Sequence, residues 1–359
     1  MDVRRASELS MAEFKERYVD TMTPVIIRYE AAAEEWPALT RWTRAYLEET
    51  CAGEVIESKI HVGSDDWGGF DEDLEVDMSF GELFDSWDER PANPRYGFDF
   101  DVKCHCPALL GDFGVLKYFL SDAKIGNELR ATYNGWPALM IGANGTQSAL
   151  HMDNNLLPFW MTVLQGRKHY RVIPMLDVLA HLGAFFHGHT GTVLQRFDVF
   201  DDAFLRRNHA FVDATVYDAW MEPGDTIYMP TGAAHGAQNH ATPTTAVTSN
   251  FVDLWHRAQE VRYNCEAFAD TEASDADCLY ATGVLDVHWP PMRGDDDGPL
   301  AVPYLDNYLS DGLCNKAVYE CPKLYPYCKG VDGQWRRESS CLNSGCSAGF
   351  AEIDYDDSG

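Results

Sequence analysis

The stretch Ser148-Ala-Leu-His-Met-Asp-Asn-Asn155 sets an imidazole and a carboxylate, His151 and Asp153, two residues apart. It comes soon after an apolar run, Trp136-Pro-Ala-Leu-Met-Ile-Gly142. On a β-strand, positions i and i+2 point to the same face, so both side chains can reach one ion above that face. A third donor is His235, in Pro223-Gly-Asp-Thr-Ile-Tyr-Met-Pro-Thr-Gly-Ala-Ala-His235. The histidines stand 84 positions apart (235 − 151), a gap that a closed barrel can bring to one mouth. Two histidines and a carboxylate on one side of a metal leave open positions opposite, as non-haem Fe(II) chemistry with oxygen requires. Taken singly, each residue has a plainer reading. Asp153-Asn-Asn155 passes for an Asx turn, and His235 for an edge-strand residue. Their joint pattern carries the metal reading.

Working outward, the chain is dense in short strands, expected at 136–142, 147–152, 158–165, 168–173, 214–221, 226–229, 234–239 and 244–252. Gly166 and Pro223-Gly224 supply turns between them. Short strands in such succession imply a β-sandwich or barrel. One insertion interrupts them: Leu176, Leu179, Leu182 and Phe186 have helical spacing, and His187-Gly-His189 follows in a polar loop that reads as a surface turn.

Before the barrel the chain is mixed. Ser10 with Glu13, and Ser79 with Glu82, are spaced as capping boxes for helices over 11–19 and from 80 onward. A further helix runs from Thr43 to about Cys51, ended by Gly53. Strands are expected at Val25–Tyr29 and Glu54–Val62. Residues 89–130 read as irregular, with Cys104-His-Cys106 structural rather than metal-binding. Residues 270–300, rich in Asp, Gly and Pro, read as a loose connector. The resulting division is 1–130 as a mixed flank, 131–255 as the barrel, and 256–359 as connector and tail.

The 359 residues carry 57 acidic against 28 basic side chains, a formal charge of −29. That field repels phosphate backbones and disfavours nucleic acid as a partner. It favours basic peptides, though a diffuse acidic surface also simply aids solubility. With no run of membrane-spanning length and no apolar leader at the start, the expectation is an intracellular protein of cytoplasm or nucleus. Ten cysteines are present, five of them in Cys314 to Cys346. Without a CxxC pair there, free thiols are expected.

Two strings sharpen the reading. Ile141-Gly-Ala-Asn-Gly-Thr-Gln-Ser-Ala-Leu-His-Met-Asp153, followed by Leu164-Gln-Gly-Arg-Lys-His-Tyr-Arg-Val-Ile-Pro174, resembles the JmjC, or cupin-like, family of Fe(II)- and 2-oxoglutarate-dependent oxygenases. Pro223-Gly-Asp through His235-Gly-Ala-Gln-Asn239 is similar to that family's distal-histidine motif. Pro24-Val-Ile-Ile-Arg28 and Trp36-Pro-Ala-Leu39 are similar to its entry segment. The likeness spans about residues 20–255. Within the family it is nearest the phosphatidylserine-receptor-type lysyl hydroxylase/demethylase subfamily, through spacing and Thr248-Ser-Asn-Phe251.

The resemblance implies a mainly β fold with flanking helices, a double-stranded β-helix of the jelly-roll kind. It also implies His151, Asp153 and His235 as iron ligands. Lys168 would pair with the far carboxylate of 2-oxoglutarate, and Ser148 would bond the same group. Asn239 and Thr248 would line the cosubstrate side, with Tyr133 as an aromatic hydroxyl from an earlier strand. The implied reaction takes O₂ and 2-oxoglutarate to succinate and CO₂ while a protein side chain is hydroxylated, or demethylated by hydroxylation. Alternatives are a non-catalytic module that keeps its metal, or a hydroxylase of a small molecule or modified RNA base. One departure stands out: Met161 replaces the subfamily's asparagine and cannot donate a hydrogen bond. Either another group contacts the cosubstrate or the pocket is reshaped.

Overall fold

The computed structural model describes residues 1–60, 76–89, 91–121, 137–153, 156–182, 186–187, 192–193, 198–251, 253–256, 296, 298–304, 327–329 and 335–337. Its strands begin with β1 (Asp2–Arg5), β2 (Val25–Arg28), β3 (Val55–Ile60), β4 (Val76–Ser79), β5 (Arg95–Asp101) and β6 (Gly114–Leu116). The barrel opens with β7 (Ala138–Gly142), β8 (Gln147–His151), β9 (Phe159–Gln165) and β10 (Lys168–Ile173). After the short pair β11 (Phe186–His187) and β12 (Thr192–Val193), it closes with β13 (Tyr217–Met221), β14 (Asp225–Met229), β15 (Ala234–Asn239) and β16 (Thr244–Asn250). β17 (Ala301–Pro303) pairs with β6.

Two sheets face each other. The larger has the order β1-β2-β14-β9-β16-β7-β5-β3-β4, and the smaller β13-β10-β15-β8. From β7 to β10 and again from β13 to β16 the chain passes back and forth between them, which is the winding of a double-stranded β-helix. β9 shows why the sequence adopts it. Phe159, Met161 and Val163 point between the sheets, while Trp160 and Leu164 face the outer core. A strand covered on both faces needs an unbroken apolar run. Gly166 turns β9 into β10 with φ +75, and a Cβ there would lie 2.6 Å from the Pro243 carbonyl oxygen, so only glycine fits.

The N-terminal part joins this core by backbone pairing as well as by packing. β2 pairs with β14 and β5 with β7. Arg28 donates to both carboxylate oxygens of Asp225, at 2.8 and 3.1 Å, across the β2–β14 register. The Pro223-Gly-Asp225 turn and the entry strand are thereby one unit. Behind the sheet, Phe14, Trp42, Trp160 and Tyr228 fill a core shared by the helices and β9 and β14.

Several sequence readings change. Ser79 and Glu82 make the full capping box. Ser10 accepts from the Glu13 amide, but the Glu13 carboxylate pairs with Arg4 and Arg17 instead of reaching back. In the insertion, Met175, Val178 and Leu182 are buried while Leu176 and Leu179 are exposed. Leu182 is buried as expected, but the first two positions of the buried face are Met175 and Val178, each one residue before the expected leucine, and the helix finishes as a π turn over Val178–Leu182. His189 lies outside the described residues. Residues 89–130 are not irregular throughout, since β5 runs through them. Its alternation is broken by a bulge between Gly97 and Phe100, with Asp99 at φ 51. The end of the connector is anchored too: the Asp296 carboxylate accepts from the Met11 amide at 2.8 Å and Lys117 at 3.1 Å. Tyr304 is buried against Phe113.

Candidate metal centre

His151 ends β8, and His235 lies directly opposite it on β15. Their ring centroids are 4.3 Å apart. β15 is the inner neighbour of β8, not an edge strand. A register shift between His235 and Ala237 places Ser148 opposite Ala237 and His151 opposite His235. Three positions on β8 thus match two on β15. On a regular strand, residues three apart face opposite ways; the bulge turns Ser148 and His151 to one face. Asp153 does not arrive by strand alternation as expected. It lies past the end of β8, where its carbonyl accepts from the Leu156 amide in a turn.

The donor atoms of His151, Asp153 and His235 all lie within 4.8 Å of one another. Asp153 Oδ1 is 3.6 Å from Nε2 of each histidine. Donors about 2.1 Å from one ion stand on the order of 3.0–3.4 Å apart, so the group is near that spacing. The tautomers follow from the partners. Nδ1 of His151 meets the Ala149 carbonyl at 2.8 Å, and Nδ1 of His235 meets the Ala233 carbonyl at 3.1 Å. A carbonyl only accepts, so each Nδ1 carries the proton and each Nε2 presents a lone pair inward. Burial, aided by His151, pushes His235 well below the usual imidazole range and keeps it neutral. Burial pushes the Asp153 carboxyl up, against the pull of His151 and of the Asn250 amide. Asn250 donates to Asp153 Oδ2 at 2.6 Å. It stands in Thr248-Ser-Asn-Phe251, where its sequence neighbours give no sign of this contact.

Deeper along β10 and β15, Lys168 sits opposite Asn239. Lys168 is 2% exposed, and its Nζ donates to the Tyr96 hydroxyl at 3.3 Å. Among the described residues it has no carboxylate partner, and burial alone pushes its ammonium down to about 7. A buried cation without a counter-charge is costly, so an anion would be favoured beside it. The Tyr96 oxygen accepts from the lysine and retains its own proton for a ligand. Gly142 keeps this end open: a Cβ there would come within 2.4 Å of Thr146 Oγ1, 2.5 Å of Asn239 Nδ2 and 2.7 Å of Tyr96.

The other expected contacts are placed as follows. Ser148 Oγ accepts from the Ala237 amide at 3.0 Å, which leaves its hydroxyl proton to donate. Asn239 gives an amide proton to Thr146 at 2.8 Å, and its buried Oδ1 has no partner among the described residues. Thr248 is buried and donates to the Trp160 carbonyl at 2.9 Å. Tyr133 lies outside the described residues; the phenol that meets Lys168 is Tyr96. Met161 does not leave a gap. Its sulfur accepts the Tyr170 hydroxyl at 2.8 Å, so the inward face of β10, Lys168 and Tyr170, is engaged on both sides.

A fold of two facing sheets with two histidines and a carboxylate at one mouth defines a class of metal-site barrel. The model for the cupin-like domain matches residues 11–258, and the chain belongs to that family. The JmjC likeness of the motifs is matched by similar proteins. The chain is 29% identical over 256 residues to the lysine-specific demethylase JMJ21 of Arabidopsis thaliana, covering 70% of this chain and 25% of that protein. It is 28% identical over 176 residues to the arginine-specific demethylase JMJ22 of the same plant, covering 48% and 31%. It is 22% identical over 253 residues to the bifunctional arginine demethylase and lysyl-hydroxylase psr-1 of Caenorhabditis elegans, covering 69% and 60%. The chain thus spans between a quarter and three fifths of the length of these relatives. No helix among the described residues is long and apolar enough to cross a membrane.

Proposed function

We propose that the chain is an Fe(II)- and 2-oxoglutarate-dependent oxygenase that hydroxylates a protein side chain, or demethylates it by hydroxylation, releasing succinate and CO₂. One observation carries this reading: the buried Lys168, with no carboxylate partner among the described residues, stands on β10, which pairs with the β15 strand that brings His235 to His151 and Asp153. A small anion that also chelates a metal satisfies both ends, and 2-oxoglutarate has that chemistry. The names of the relatives, demethylases and a lysyl hydroxylase, support a protein side chain as the target.

The donor set fits iron(II): two imidazole nitrogens and one carboxylate, with the remaining positions open. Bound there, iron would supply oxygen activation coupled to oxidative decarboxylation of the oxoacid. The chain's own part is positional. The Ala149 and Ala233 carbonyls hold both imidazoles in the ligating tautomer. Asn250 holds one carboxylate oxygen of Asp153 and leaves Oδ1 turned toward the histidines. Lys168, the Tyr96 hydroxyl and the Ser148 hydroxyl offer donors to the far carboxylate. Phe159, whose ring lies 5.0 Å from that of His235, and Tyr170, at 6.3 Å, wall the site against water.

Purified chain with Fe(II) is expected to convert 2-oxoglutarate to succinate, slowly even without a substrate protein. His151→Ala and Asp153→Ala abolish the conversion. Mass spectrometry of candidate basic peptides should show the gain of one oxygen atom. Succinate formed at an unchanged rate by the His151 variant would remove the metal assignment.

A further inference from the structure

Cys51 and Cys106 form a disulfide across 55 residues of sequence. Both are 3% exposed. Cys104 is disulfide-bonded as well, and no free thiol occurs among the described residues. The free-thiol expectation concerns Cys314 to Cys346, whose side chains lie outside the described residues; the structural reading of Cys104-His-Cys106 is in keeping with these bonds, since bonded sulfurs are not thiolate ligands.

The bond has a definite place in the fold. Cys51 closes the helix Arg44–Thr50 and Cys106 closes the helix Val102–His105. The second helix begins where β5 ends, and β5 carries Tyr96 against β7. The disulfide therefore ties the outgoing end of the strand that supplies a pocket hydroxyl to an N-terminal helix. A redox switch needs sulfurs that solvent reductants can reach, and this pair is enclosed by the main core. It is built as a permanent tie.

Permanent ties of this kind persist where the surroundings are oxidising; cytosolic and nuclear thiols are kept reduced. The sequence supplies a second sign. Ten cysteines, an even number, include five between Cys314 and Cys346 with no CxxC pair for zinc. Crowding of cysteines without a zinc spacing is a sequence pattern compatible with disulfide pairing. We infer that the chain folds and works in an oxidising compartment, and that its substrate is a protein passing through that compartment rather than a chromatin or cytosolic protein. The compartment rests on the cysteines alone; the substrate class rests also on the proposed function. Forming the Cys51–Cys106 bond removes two electrons and two protons from the two thiols, which pass to a disulfide-exchange partner of that compartment.

The test traps thiols at the moment of lysis. The full chain is isolated from its own cells after acid quench and N-ethylmaleimide labelling, then digested without reductant. Cys51 and Cys106 should appear as one linked pair of unlabelled peptides; both labelled in most molecules would overturn the inference. A second measurement covers the case in which variants fail to fold. Wild-type chain made in a reducing bacterial cytosol should melt about 5 °C below the same chain after oxidation. C51A/C106A should melt with the reduced form. Equal melting of the oxidised and reduced forms would also overturn it. For the substrate half, peptides from secreted proteins and from histones are offered together with Fe(II) and 2-oxoglutarate. Oxygen incorporation in the secreted set supports the proposal, and incorporation confined to histones defeats it. The thiol map needs no turnover, so a failure of the oxygenase chemistry registers separately.

Discussion

The Lys168 ammonium donates to the Tyr96 hydroxyl at 3.3 Å, joining β10 of one sheet to β5 of the other. This contact fixes the polar end of the pocket, and it ranks the two residues. A charge-assisted bond to a carboxylate contributes roughly 1.5–3 kcal/mol, a neutral one nearer 1. Lys168→Ala should therefore weaken 2-oxoglutarate binding by roughly 10–100-fold, and Tyr96→Phe by about fivefold. Calorimetry with Mn(II) in place of iron reads both. Equal affinity for the lysine variant and wild type would refute the assignment of the anion.

The same lysine gives a pH dependence. Burial lowers its folded-state value to about 7, below the value in the unfolded chain. Between about 7 and about 10.4 the unfolded chain binds more protons, so the stability of the ligand-free protein from this group rises with pH across that window. Binding an anion favours the charged form and should reverse the trend. Above pH 7, 2-oxoglutarate binding should take up a proton, with affinity falling by up to about tenfold per pH unit. Titrations in buffers of different ionisation enthalpy would show the uptake. No buffer dependence at pH 8 would argue that Lys168 stays charged throughout.

Asn250 acts through Asp153. Removing its amide leaves a buried carboxylate oxygen without its donor, and loss of such an outer partner typically costs 10–100-fold in metal affinity. Asn250→Ala should weaken Mn(II) binding by about that factor and lower the melting temperature of the metal-free chain by about 2–4 °C. Metal binding at wild-type strength would assign Asn250 to packing alone.

Arg28 and Asp225 offer a stability test remote from the metal. Asp225 is buried and also accepts the Glu222 amide at 3.1 Å, whereas Arg28 is half exposed. Asp225→Ala should destabilise by about 3 kcal/mol, and Arg28→Ala by about 1 kcal/mol because water partly replaces it. Denaturant melts of the two variants should show that order; a larger loss for Arg28→Ala would contradict it.

Much of the barrel was legible because its signals are local. The strands from Ala138 to Asn250 are short apolar segments punctuated by Gly166 and Pro223-Gly224, and they fall within a few residues of where periodicity put them. β5 was not legible, because the bulge between Gly97 and Phe100 breaks its alternation. Tyr96 is hidden with it, while Tyr133 lies outside the described residues. At the site, the pairing of His151 with His235 was anticipated, but not the mechanism that aligns Ser148 with them. An extra residue in β8 leaves no mark that composition or spacing can reveal. Asn250 is hidden for another reason: an amide three residues from any charged group gives no sign of the carboxylate it meets 97 positions away.

The backbone pairing of β2 with β14 and of β5 with β7 bears on how the barrel can be handled. Excising residues 131–255 would bare two long rows of unpaired amides and carbonyls at opposite rims of the larger sheet. Such rims recruit one another between molecules. A trimmed barrel should therefore precipitate or form ribbons, and crystallographic or binding work is best begun with everything from Met1 onward left in place.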